Sequence, residues 1–132
     1  MAEISGVAHV ALTVTDLPRS KEWYADLFGT QMLFEGEESG VKFCVTIHSA
    51  TNLVLAFREF TSGSGDQFTP ERTGLDHLSF LCPDRSELEK WAAVFEEKGI
   101  TYSPIVDTEY GHVLSFKDPD NIALEMYAFP SS

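Results

Sequence analysis

Three side chains in this sequence carry donor atoms that suit a divalent cation, and they stand in segments that echo one another: His9, His77 and Glu125. His9 closes Gly6-Val7-Ala8-His9 and His77 closes Gly74-Leu75-Asp76-His77, a shift of 68 positions from 9 to 77. The same shift lays Asp16 over Asp84 and Trp23 over Trp91 without a gap. With one residue inserted, Asn52-Leu53-Val54-Leu55 lies over Asn121-Ile122-Ala123-Leu124, which sets Ala56 over Glu125. Several matches at a constant shift mark an internal repeat, and a repeat constrains architecture before any single motif does. Two neutral imidazoles and one carboxylate suit a borderline ion such as Fe(II), Mn(II), Ni(II) or Zn(II). Three protein ligands leave coordination positions open to a substrate or oxygen.

Such a donor set works only if the chain brings it to one face. Each copy reads as a strand, a helix and three strands, so the fold class is α+β with two βαβββ modules. The stretch Val7 to Val14 alternates and is rich in β-formers, whereas Leu17 to Phe28 carries Trp23, Tyr24, Leu27 and Phe28 at helical spacing. Asp16 is placed to cap that helix, Pro18 fits its first turn and Gly29 its end. In the second copy Asp84 and Glu87 suggest a capping box, Leu88, Trp91, Ala92 and Phe95 a buried stripe, and Gly99 a stop. Both tryptophans read as core. Further strands are expected at Gln31 to Glu35, Val41 to His48, Asn52 to Arg58, Thr101 to Val106, His112 to Lys117 and Ile122 to Tyr127. Asp118-Pro119-Asp120-Asn121 reads as a hairpin turn. The chain is expected to form a single domain over 1–132, with modules at 5–59 and 74–129 and a Ser/Gly-rich linker at 60–73.

Successive side chains of a strand point to opposite faces, so parity sorts the polar residues. Ala8, Val10, Leu12 and Val14 form the greasy face a helix would cover, leaving His9 opposite. Leu78 and Phe80 do the same for His77 and Ser79, and Ile122, Leu124 and Met126 for Glu125 and Tyr127. Leu53, Leu55 and Phe57 leave Val54, Ala56 and Arg58 on the far side. The non-helical face therefore collects His9, His77 and Glu125 as metal ligands, with Glu125 also the candidate catalytic group. Thr46, Ser79, Ser115 and Tyr127 are expected to orient a substrate. Parity in the third strand puts Cys44 and His48 with Thr46 on that pocket side. His48 and His112 otherwise read as structural or rim residues.

Composition narrows the partners. A net charge of −12 makes nucleic acid and anionic membrane surfaces unfavourable partners, since both need clustered Lys and Arg. No apolar run is long enough to cross a bilayer and no signal peptide is evident, so a cytoplasmic location is expected, with Cys44 and Cys82 as buried free thiols.

The stretches His9-Val10-Ala11-Leu12, Asp16-Leu17, Trp23-Tyr24, Gly74-Leu75-Asp76-His77-Leu78 and Asp118-Pro119-Asp120-Asn121 through Glu125 resemble the vicinal oxygen chelate superfamily over nearly the whole chain. That group holds glyoxalase I, extradiol dioxygenases, fosfomycin-resistance enzymes and bleomycin-binding proteins. The resemblance implies a cupped mixed sheet, a homodimer and up to four metal-ligand positions, here His9, Ala56, His77 and Glu125. Glyoxalase I uses a ligand where this chain has Ala56. The pocket tyrosine of extradiol dioxygenases falls at Ser115, and the pocket threonine of fosfomycin enzymes at Ala11. The implied activity is metal-dependent chemistry on a small oxygen-chelating substrate, dioxygenase-, lyase- or isomerase-like. The alternative is a resistance or metabolite-sequestering protein of the bleomycin-binding type, without turnover. The fold hosts several chemistries on one platform, so the metal and the substrate stay open.

Overall fold

The computed structural model describes residues 1–131. The chain divides into two compact units, Met1–Asp66 and Gln67–Ser132. In the first, β1 (Val10–Thr13) leads into α1 (Leu17–Phe28), followed by β2 (Gln31–Glu38), β3 (Val41–His48) and β4 (Leu53–Phe60). In the second, β5 (Leu78–Leu81) leads into α2 (Arg85–Lys98), followed by β6 (Val106–Thr108), β7 (Gly111–Lys117) and β8 (Ala123–Ala128). Each unit builds its own four-stranded sheet, ordered β1-β4-β3-β2 and β5-β8-β7-β6. Both sheets are mixed: β1 runs parallel to β4 and β5 to β8, and the other pairs are antiparallel. The architecture is α+β with two βαβββ modules, as the repeat implied.

The helices start and stop where the sequence signals them. Asp16 accepts a hydrogen bond from the Arg19 backbone N–H at 3.1 Å, and Glu59 reaches from β4 to accept from the Leu17 N–H at 2.6 Å. These two carboxylates satisfy N–H groups that a helix start leaves without partners. Asp84 performs the same task for α2, accepting from the Glu87 N–H at 3.2 Å, while the Glu87 carboxylate accepts from Lys90 Nζ. Gly29 and Gly99 end the two helices at φ 73° and 69°, a left-handed conformation that is costly for a residue with a Cβ.

The repeated asparagines have the same explanation. Asn52 and Asn121 adopt φ 61° and 66° in the turns before β4 and β8, where Asn is tolerated better than most L-residues. The Asp118 carboxylate tightens the second turn by accepting from the Asp120 and Ile122 N–H groups, each at 2.8 Å.

Each helix covers one face of its own sheet. Tyr24 packs on Phe57 at 4.8 Å between ring centroids, and Phe95 on Phe116 at 4.4 Å, with all four rings buried. Trp23 and Trp91 sit at the edges of these clusters and are only partly covered, so the centre falls to Tyr24 and Phe95. Cys44 and Cys82 are buried free thiols.

Two expected strands differ. The first ladder begins at Val10, leaving His9 just before it. The strand expected over 101–106 is reduced to an isolated bridge between Tyr102 and Phe116, and regular pairing starts only at Val106. Pro104 explains this, because it offers no N–H to a ladder and disturbs the residue before it.

Candidate functional site

Strand register decides which side chains share a face, because directly paired residues point the same way. On the uncovered face of the second sheet, Ser79 of β5 pairs with Glu125 of β8, and Glu125 pairs with Ser115 of β7. The central row is therefore Ser79, Glu125, Ser115, with both serines exposed and the Glu125 side chain only 17% exposed. His77 precedes Ser79 by two residues on the same face, and its Nε2 lies 3.4 Å from Glu125 Oε1. The structure thus brings His77, Glu125, Ser79 and Ser115 together, as parity anticipated.

The His77 and Glu125 donors have a separation that fits a shared ion. Two atoms each ~2.1 Å from one cation at a tetrahedral angle stand ~3.4 Å apart. On its other side, His77 Nδ1 is 2.8 Å from Asp76 Oδ1. This bond holds the His77 pKa above its ordinary value, burial opposes it, and the charges of Glu125 and Asp76 add to the rise. Sequence reasoning missed Asp76, although a carboxylate directly before a candidate histidine ligand was there to be read. The match of Gly74-Leu75-Asp76-His77 with Gly6-Val7-Ala8-His9 drew notice to what the copies share and away from where they differ.

His9 lies exposed just before β1 in the first unit, outside the paired strand. Among the described residues, no group of three or more His, Cys, Asp or Glu side chains stands ready to hold a metal. The His77 and Glu125 pair is what the second unit supplies by itself.

Thr46 requires a correction. Antiparallel register pairs Cys44 with Phe57, Thr46 with Leu55 and His48 with Leu53, so all three share the helix-side face. Thr46 is 2% exposed and its hydroxyl donates to the Leu55 carbonyl at 2.7 Å. Counting odd and even positions within one strand could not align it with its neighbours, and an open, substrate-facing role does not fit this placement. The face of the first sheet opposite α1 instead carries Ala11, Ala56 and Val45 in its central row.

Tyr127 shares the open face of β8 with Glu125, but its hydroxyl donates to the Tyr110 carbonyl in the β6–β7 turn. Gly111 makes room for this contact, since a Cβ there would lie 2.4 Å from the tyrosine oxygen. His112 also proves structural: its Nδ1 is 2.7 Å from Asp107 Oδ1, while the Arg85 guanidinium grips both oxygens of Asp107. Arg85 first and His112 second hold the Asp107 pKa down to about 2. His48 Nδ1 pairs with Thr51 Oγ1 in the β3–β4 turn.

A fold of two βαβββ modules is shared beyond this chain. The model of the Glyoxalase/Bleomycin resistance protein/Dioxygenase superfamily matches residues 6–126, and the chain belongs to that superfamily. A glyoxylase/bleomycin resistance protein/dioxygenase domain from Frankia sp. EAN1pec superposes with a TM-score of 0.89 at 34% identity, covering 97% of this chain and all of that one. A FosX fosfomycin resistance protein of Listeria monocytogenes, in complex with Mn(II) and a dihydroxypropylphosphonic acid, shares the fold at a TM-score of 0.74 and 20% identity, over 97% of this chain and 93% of its own. Catechol-2,3-dioxygenase of Bacillus subtilis is 30% identical over 96% of this chain, which spans only 42% of that enzyme. Among the described residues no helix is long and apolar enough to cross a membrane.

Proposed function

We propose that this protein is a metal-dependent enzyme acting on a small substrate that chelates through adjacent oxygens, with His77, Glu125 and His9 as the ligands of one divalent ion. The observation that carries the proposal is the His77 Nε2 to Glu125 Oε1 separation of 3.4 Å on an uncovered sheet face. A carboxylate kept 17% exposed beside an imidazole, with no Lys or Arg ion pair among the described residues, is one that a bound cation would stabilise. His9 is assigned by its repeat position, equivalent to that of His77. Ala56 offers no donor at the position equivalent to Glu125, so the proposed sphere has three protein ligands.

A bound ion of this class supplies Lewis-acid stabilisation of negative charge developing on substrate oxygens. The chain's own contribution is positional. Glu125 and His77 present their donors from adjacent strands, and the Ser79 and Ser115 hydroxyls on either side of Glu125 are free to hydrogen-bond substrate oxygens. Glu125 is also the one carboxylate in this row and the group proposed to exchange a proton with the substrate. The name of the catechol dioxygenase among the relatives favours turnover over sequestration.

Equilibrium dialysis against Mn(II), Fe(II), Ni(II) and Zn(II) tests the proposal with wild type and the His9→Ala, His77→Ala and Glu125→Ala variants. One ion per chain in wild type, lost in each variant while circular dichroism is unchanged, is the expected result. Equal binding by wild type and Glu125→Ala, or no stoichiometric ion at all, would overturn it.

A further inference from the structure

The two candidate histidine ligands are not equivalent. His77 follows Asp76, whereas the repeat-equivalent His9 follows Ala8, which has no acceptor. Asp76 Oδ1 stands 2.8 Å from His77 Nδ1, a good hydrogen-bond distance, on the side of the ring away from Glu125. Asp76 accepts only, so a neutral His77 must place its single proton on Nδ1 to make this bond. The lone pair is then on Nε2, the atom 3.4 Å from Glu125 Oε1. An imidazole whose other nitrogen donates to a carboxylate is fixed in tautomer and ring orientation and is a more basic ligand.

We propose that Asp76 is a positioning residue which sets His77 in the Nδ1–H tautomer and turns Nε2 toward Glu125 as a preorganised metal donor. The proposal rests on the metal-binding reading above and adds an asymmetry to it: His77 is the anchored ligand, and His9 the adaptable one. Without Asp76, the ring is free to rotate about two side-chain bonds and to carry its proton on Nε2, where it blocks the donor. Both side chains are substantially exposed, 46% for His77 and 73% for Asp76, so replacing Asp76 leaves the core untouched.

Two measurements on the full chain test this. Long-range proton–nitrogen NMR of the metal-free protein, at a pH where His77 is neutral, reads its tautomer directly. Calorimetric titration with Mn(II) reads affinity. Wild type is expected to show the Nδ1–H form, Asp76→Ala to shift to the Nε2–H form and to bind Mn(II) about 10- to 100-fold more weakly, in the range of outer-shell losses. Asp76→Asn, which keeps an acceptor but no charge, is expected to fall between them. An unchanged tautomer in Asp76→Ala, or a changed tautomer with undiminished Mn(II) affinity, would overturn the proposal. Should wild type bind none of Mn(II), Fe(II), Ni(II) or Zn(II), the metal reading fails and the NMR alone decides the positioning role, with the tautomer lost in Asp76→Ala upholding it and retained overturning it.

Discussion

The central rows of the two sheets occupy the same place in the same topology and differ in chemistry at every position. In the first module the row reads Ala11, Ala56, Val45; in the second it reads Ser79, Glu125, Ser115. On the covered faces both modules bury an aromatic pair between helix and sheet, Tyr24 with Phe57 in one and Phe95 with Phe116 in the other, although the rings do not stand at repeat-equivalent positions: Tyr24 lies over Ala92 and Phe57 over Met126. Each module keeps the apolar character of its helix-covered face, while the opposite face differs in chemistry between the two. Packing against a helix tolerates few side chains, because interiors are close-packed, whereas an open face is constrained mainly by what it binds. The polar groups of the second row are therefore where function is sought, and the buried aromatic pairs where stability is.

That contrast can be broken by experiment. The largest effects are expected on the covered faces: Phe57→Ala and Phe116→Ala should each cost about 3 to 5 kcal/mol in urea denaturation, since both remove a buried ring. A much smaller loss in either would show that its ring is not central to the core of its module. On the open faces the expected effects separate. Glu125→Ala should weaken Mn(II) binding by more than about 100-fold, or about 2.7 kcal/mol, while Val45→Ser in the first row leaves it unchanged. Comparable losses in calorimetry from both variants would erase the distinction between the rows.

Smaller effects sharpen it. Thr46→Val removes a buried hydroxyl that donates to the Leu55 carbonyl and should destabilise by about 1 kcal/mol, whereas Ser115→Ala, at an exposed position, should leave the unfolding midpoint in place. The reverse pattern would return Thr46 to the open face.

The smallest expected change concerns the ties between helix and outer strand. Lys21 pairs with Glu35 in the first module, and Arg85 with Asp107 in the second, where His112 adds a further bond. Asp107 is held at about 2, below its ordinary 3.8. A depressed carboxylate stabilises the fold above its unfolded pKa, and that contribution disappears as pH falls through its folded value. Asp107→Asn should therefore lower stability slightly at pH 6 and match wild type near pH 2. A wild-type advantage that persists below pH 2 would disconnect it from this carboxylate.

Much of this was legible in the residues. Helix limits followed from Asp16, Gly29, Asp84 and Gly99, because caps and left-handed stops are local events that a few neighbours decide. The placement of His77 and Glu125 on one face followed from alternation along each strand, since both strands have a plainly apolar partner face. The same method failed for Thr46, because β3 is apolar on both sides: Phe43, Val45 and Ile47 alternate with Cys44 and Thr46, and hydrophobicity does not choose between the two sets.

By itself the sequence determined the repeat, the two βαβββ modules, their caps and turns, and the candidate donors. These depend on neighbours within a few positions or on a pattern that recurs. Tertiary structure alone decided the face of β3, the engagement of the Tyr127 hydroxyl with the Tyr110 carbonyl, and the 3.4 Å approach of His77 to Glu125. Each of these is set by the register between strands distant in sequence. Register is a property of pairs, fixed by which side chains fit together across the sheet and under the helix, and no single strand contains it.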